Sequence, residues 1–254
     1  IVPADQILPI KLHLITLTGR PIFPGVFTPF LLNDPDDVKT AETALAGTGY
    51  VGLLLTKDEE ARKAAPNDLY LVGTAAKIVR KINLPDGGVN LFIQTVKRFR
   101  VMKFLSDAPP LSAGVEYLED ENLDSMEGKP LTRALVAEMR KVSENNPLFT
   151  EEMRVSMVNI DHPGKIADFV ASILNVQRSE QQEMLETLDV HKRMERALIF
   201  IHKEQELLRI QKKIQEQINE KISKSQREFF LKEQMKAIKQ ELGMPTDAKS
   251  QEYE

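Results

Sequence analysis

The chain has 254 residues, a mass of 28.8 kDa, 42% hydrophobic and 28% charged residues, and a formal charge of −4. This is enough chain for one large domain or two ordinary ones, and the composition excludes wholesale disorder. With no cysteine there is no disulfide framework, thiolate metal site or thiol nucleophile. No apolar run reaches the roughly 18–20 residues of a membrane span, and the acidic balance does not suit a nucleic-acid binder. The sequence opens at Ile1 rather than Met, as expected of a fragment or a processed product.

Short β-branched and apolar runs separated by turn signals fill the first 118 residues. Leu12 to Leu17 meets Thr18-Gly19. Val26 to Leu32 is broken by Pro29, which places it at a sheet edge or bulge. Tyr50 to Thr56 reads as a buried strand, and Lys77 to Leu84 and Val89 to Phe99 flank the turn Pro85-Asp86-Gly87-Gly88. Val101 to Leu105 and Ala113 to Leu118 complete the set. One helix interrupts them: Asp34 can cap it, Pro35 suits its first position, Asp36 and Asp37 favour its dipole, and Gly47 can end it.

Residues 119–128 are acidic and read as a linker. A helical lobe is expected over 129–188. Leu131 to Glu144 has helical spacing, and Thr150-Glu151-Glu152-Met153 opens a further helix. Asp161 is a candidate cap before Pro163-Gly164, and Ser179 with Gln182 forms a capping-box pattern. From Lys165 to Leu242 there is neither Gly nor Pro, and 189–243 reads as one helix of about 80 Å, ended by Gly243-Met244-Pro245 and followed by a polar tail over 244–254. A body of the remaining residues has a radius of gyration of about 16 Å, so part of that helix is expected to project or to be covered by another chain. Its apolar residues Leu207, Ile210, Ile214, Ile218 and Ile222, then Leu231, Met235, Ile238 and Leu242, average more than the heptad's 3.5-residue step, which favours a straight helix over a long left-handed coiled coil. The fold class is therefore α+β: a small, mostly antiparallel β domain with one helix, then an all-α lobe ending in a long protruding helix.

No catalytic, cofactor or metal centre is expected. Gly128-Lys129-Pro130 and Gly164-Lys165-Ile166 lack the hydroxyl residue and upstream glycine of a phosphate-binding loop. His191 with Glu195 and His202 with Glu206 are i, i+4 pairs read as ordinary surface pairs. The numerous carboxylates, in helices and in the acidic stretch, are read as solvated. What the sequence does offer is apolar residues in conspicuous places. Phe23, Val26, Phe27 and Phe30 surround Pro24-Gly25, and Phe229, Phe230 and Met235 lie on the long helix. Adjacent helical residues point about 100° apart, so one face cannot bury both Phe229 and Phe230. Phe229, Phe230, Met235, Phe27 and Phe30 are the candidates for contact with a substrate or a neighbouring subunit.

Several motifs resemble those of the Lon family of ATP-dependent proteases. Ile7-Leu8-Pro9-Ile10, then Phe23-Pro24-Gly25 with Pro29, is similar to the opening of that family's N-terminal region. His162-Pro163-Gly164-Lys165-Ile166-Ala167-Asp168 is similar to its D-P-(S/G)-(K/R)-L-A-D segment, with His for Asp. Gln181 to Val190 and Ser225 to Gly243 resemble two further family segments, the last over nineteen residues. The resemblance implies the N-terminal region of a cytoplasmic ATP-dependent serine protease, cut before the ATPase module. ATP and magnesium would belong to that absent module, and none is expected here. Unfolded or degron-bearing proteins are the implied partners, with homohexamer assembly and neither membrane nor nucleic-acid binding. A non-enzymatic, self-associating helical scaffold is the alternative. An RNA-binding module is disfavoured by the charge of −6 over the first 188 residues.

Overall fold

A computed structural model describes residues 8–60, 65–85, 88–106, 108–122, 128–145, 149–151, 155, 160 and 162–244. Two compact units result, residues 1–204 and 205–254. The first begins with β1 (Lys11–Leu17), β2 (Phe27–Leu32), α1 (Pro35–Ala46), β3 (Tyr50–Leu55), β4 (Val72–Asn83), β5 (Val89–Ser106) and β6 (Ser112–Tyr117). These strands form one six-stranded sheet in the order β2-β5-β4-β3-β1-β6, mostly antiparallel as expected, with one parallel pair, β1 and β3. That pair needs a crossover, and β2 with α1 supplies it.

The sequence divides β5 at Arg100, whereas the structure runs it unbroken for 18 residues. Its first half pairs with β2 and its second half with β6, while β4 lies along the other edge. The β5–β6 pairing closes the sheet on itself and leaves β2 as the outermost strand, paired among the described residues with β5 alone. The expected hairpin is present as the Asn83↔Val89 pairing, although Asp86 and Gly87 lie outside the described residues.

β1 and β3 are buried on both faces, which accounts for their nearly continuous apolar runs. Ile15, Leu17, Val51, Leu53 and Leu55 pack with Ala41 and Ala44 of α1 and with Val89, Leu91 and Ile93. Leu12, Leu14 and Leu54 pack instead with Phe99, Leu111 and Ala113. A Cβ on Gly73 would lie 2.2 Å from the carbonyl oxygen of Leu53, so only glycine permits the close β4–β3 approach. Asp34 caps α1 as its sequence suggests, accepting from the Asp36 amide at 2.8 Å.

Helices α2 (Gly128–Asn145), α3 (Pro163–Ile173), α4 (Arg178–Glu186) and the first turns of α5 (Val190–Glu241) complete the unit. Leu135, Met139 and Val142 of α2, Ile166 and Val170 of α3, and Met194, Ala197 and Ile201 of α5 recur at helical spacing and are buried. Two caps differ from expectation. Asp161 lies outside the described residues, and His162 caps α3, its Nδ1 accepting from the Gly164 amide at 3.2 Å. Ser179 is inside α4, whose N-cap is Gln177 without a side-chain bond. Gln182 is drawn inward and donates to the Val72 carbonyl at 3.0 Å, which is why it forms no capping box. The helix expected at Thr150–Met153 and the tail beyond Met244 fall largely outside the described residues.

The second unit is the remainder of α5. At 52 residues, α5 is about 78 Å long and matches the long helix expected from the absence of Gly and Pro. Gly243, at φ +66°, ends it in the left-handed conformation, and the Met244 amide donates to the Lys239 carbonyl.

Candidate functional site

Antiparallel register sets which side chains share a face, because residues directly opposite one another point the same way. Three rows cross β4, β5 and β2: Lys77, Gln94 and Phe27; Arg80, Phe92 and Pro29; Ile82, Asn90 and Leu31. A bulge in β4 sets Val79 beside Arg80 opposite Phe92. The reverse side of the same strands carries Ile78, Ile93, Leu91, Phe30 and Leu32 against the core. The open face therefore joins Phe27, 61% exposed, to Pro29, Leu31, Val79 and Phe92. The rings of Phe27 and Phe92 stack at 6.2 Å between centroids, 29° from parallel. Lys77 and Arg80 are exposed along its β4 side.

This geometry separates the sequence candidates. Phe27 lies on the open face. Phe30, three residues on along an alternating strand, turns to the reverse side and packs on the core. Phe229 and Phe230 are each 66% exposed and Met235 is 57% exposed, within a series of exposed apolar residues that runs from Leu207 to Leu242. Phe92, Leu31, Lys77 and Arg80 complete the face. The alternation in Phe27–Leu32 could have singled out Leu31, but the other three join only through pairing with distant strands.

A second cluster fastens the helices to the sheet. Arg98 on β5 donates from Nη2 to Asp168 on α3 at 2.6 Å and from Nε to the Leu185 carbonyl at 2.9 Å. Arg193 on α5 lies 2.7 Å from Asp120 and 3.8 Å from Asp168. Those contacts are ionic, and its guanidinium has no hydrogen-bond partner among the described residues. Arg98, Asp168 and Arg193 are all buried. A Cβ on Gly164 would lie 2.5 Å from Arg193 Nη2, so glycine makes room for the cluster. The acidic stretch thus does not start as a solvated linker: Asp120 is in the cluster, and Glu121 exchanges backbone bonds with Leu188 and Val190. Arg178 adds a clamp, donating to the Gly19 and Lys57 carbonyls and to Thr56 Oγ1.

Two titrating groups stand out. Burial, then the charges of Asp34 and Asp36, push the Asp37 carboxyl up to about 6. It lines a cleft of about 780 Å³ with Arg20, Glu59 and Glu60. His13 is held below the usual imidazole range by burial and then by Lys11, and its buried Nδ1 has no hydrogen-bond partner. His191 and Glu195 form a long 3.9 Å pair, and no described group of three potential ligands could hold a metal. No described helix is long and apolar enough to cross a membrane.

Residues 11–203 match the family described as the ATP-dependent protease La (LON) substrate-binding domain. The chain belongs to the Lon family. It is 54% identical over 253 residues to the Lon protease of Treponema pallidum and 44% identical over 255 residues to that of Leptospira interrogans. These alignments cover 99% and 100% of the chain but 29% and 30% of the relatives. The chain therefore corresponds to a Lon N-terminal substrate-binding region, and the catalytic parts of the Lon proteases lie outside the alignment. The N-terminal domain of a Mycobacterium avium complex Lon protease superposes with a TM-score of 0.62 at 18% identity, over 76% of this chain and 98% of that one. A Lon N-terminal domain protein from Xanthomonas campestris gives 0.54 at 19% identity, over 75% and 98%. At such identities these two likenesses concern the fold alone.

Proposed function

We propose that this region captures unfolded or degron-bearing proteins for an ATP-dependent serine endopeptidase of the cytoplasm, and that its long helix supports assembly of a homohexamer. The observation that carries the reading is the open face around Phe27, Phe92 and Leu31. Unfolded proteins differ from folded ones chiefly in exposed apolar side chains, and contiguous apolar surface left in water marks a binding site. The face lacks a nucleophile and a metal cage, which suits a region that holds clients while the bond-breaking and the ATP and magnesium chemistry belong to the rest of the protease. A few side chains burying area at roughly 25 cal/mol per Å² give only micromolar-to-millimolar binding. Several copies in a ring raise the effective affinity, because each contact holds the client near the next.

The test is titration of a denatured test protein against the chain and against a forced hexamer. Stronger binding by the hexamer, lost on Phe27→Ser with Leu31→Ser, is the expected result, whereas equal affinities refute the reading. The exposed series from Leu207 to Leu242 favours a second reading, a self-associating scaffold. Sedimentation and client binding before and after removal of α5 beyond Glu204 separate the two: the scaffold loses self-association only, having no client to lose.

A further inference from the structure

Resting on that reading of the face, we infer that it selects extended apolar segments with an acidic residue close by. The three rows that carry Phe27, Phe92 and Leu31 also carry Lys77 and Arg80, and no Asp or Glu. Both cations are exposed, and neither forms an ion pair with a described residue. The other lysines of these strands near the face are neutralised. Lys81 points to the reverse side and meets Glu42 at 2.5 Å, and Lys97, past the end of the face, is paired with Glu119. In a segment of 188 residues whose charge is −6, two uncompensated cations beside the stacked aromatic pair form a local field of the opposite sign.

The spacing defines the ligand further. Neighbouring strands lie about 4.8 Å apart, so Arg80 stands roughly 5 Å from Phe92 and Lys77 roughly 10 Å from Phe27 across the rows. An extended peptide advances about 3.3 Å per residue, so a carboxylate two to four positions from the apolar anchor reaches these cations. Recognition by the face suits such a client better than strand addition at the edge of β2. The Val26–Thr95 backbone bond sets the alternation that turns Pro29 outward, and proline offers no N–H there.

The experiment uses the 254-residue chain and short labelled peptides with one apolar core flanked by Asp, by Asn or by Lys, in low and in high salt. The Asp-flanked peptide is expected to bind about three- to tenfold more tightly than the Lys-flanked one in low salt, with the difference erased in high salt. Lys77→Glu with Arg80→Glu inverts the order, Lys77→Gln with Arg80→Gln abolishes it, and binding of the Asn-flanked peptide survives both. Melting curves confirm that each variant is folded. Equal binding of the three peptides, still lost on Phe27→Ser with Leu31→Ser, overturns the charge selection and leaves the client face standing. Asn-flanked binding indifferent to Phe27→Ser with Leu31→Ser overturns the face itself. Phosphatidylserine vesicles bound through Lys77 and Arg80, with no discrimination among the peptides, overturn the proposal in favour of a membrane.

Discussion

Asp168→Ala removes the carboxylate shared by Arg98 on the sheet and Arg193 on α5 in the buried ionic cluster. In the native chain Asp168 is 4% exposed and lies between Arg98, also 4% exposed, and Arg193, fully buried. Without it, Arg98 keeps the Leu185 carbonyl and an Asp120 oxygen 3.8 Å away, and Arg193 keeps Asp120 alone. One buried guanidinium is then left without a close counter-charge, a situation that costs about 3–5 kcal/mol. A whole domain is stable by only about 5–15 kcal/mol, and for a unit near two hundred residues each kcal/mol moves the melting point by about 2–4 °C. The expected outcome in urea and thermal unfolding is therefore a loss of about 3–5 kcal/mol and roughly 6–20 °C. Glu119→Ala, which breaks the exposed pair with Lys97, should cost less than about 0.5 kcal/mol. Replacing Arg98, Asp120, Asp168 and Arg193 together by Met, Asn, Leu and Met should recover most of the loss, because no charge of the cluster then remains without its partner. Melting of Asp168→Ala within a degree of the parent, or an equal cost for Glu119→Ala, would refute the reasoning.

Two further outcomes test the packing and the titration. Gly73→Ala pushes a methyl group against the backbone oxygen of Leu53, an atom that cannot swing aside, and should cost about 3 kcal/mol, the upper end for overpacking, whereas Gly19→Ala, with nothing within 4 Å, should melt close to the parent. A small shift for Gly73→Ala in a thermal scan counts against the β3–β4 packing. The raised Asp37 carboxyl binds its proton more tightly folded than unfolded, so its contribution favours the folded state in acid and is lost as pH rises from about 4 through 6. Asp37→Asn should consequently stabilise the chain by about 1 kcal/mol at pH 7 and leave it unchanged below pH 4. A difference constant across that range contradicts the burial of Asp37.

What the sequence made legible followed from local rules. The absence of Gly and Pro after Lys165 marked α5, Asp34 and Pro35 marked the start of α1, and Pro29 placed its strand at an edge. The exposure of both Phe229 and Phe230 agrees with the argument that one helix face cannot hide adjacent rings. The illegible parts were built by pairing across long stretches of chain. Nothing near Arg98 announces that β5 changes partner from β2 to β6, or that Asp168, 70 residues on, will meet its guanidinium. Asp120 looked solvated because its neighbours are acidic, and only the fold brings Arg193 to it. Phe27 and Phe30 looked equivalent as aromatic residues beside Pro-Gly, and the two-residue period of the strand sends them to opposite sides.

Proline at the outward position of β2 has a consequence for crowding. A ring of such domains would gather partly unfolded chains at high local concentration, conditions under which a bare strand rim recruits further strands and seeds fibrils. Interrupting the donor row in mid-strand denies such growth a continuous template, so a domain put to the proposed use would not itself become the nucleus on which its clients polymerise.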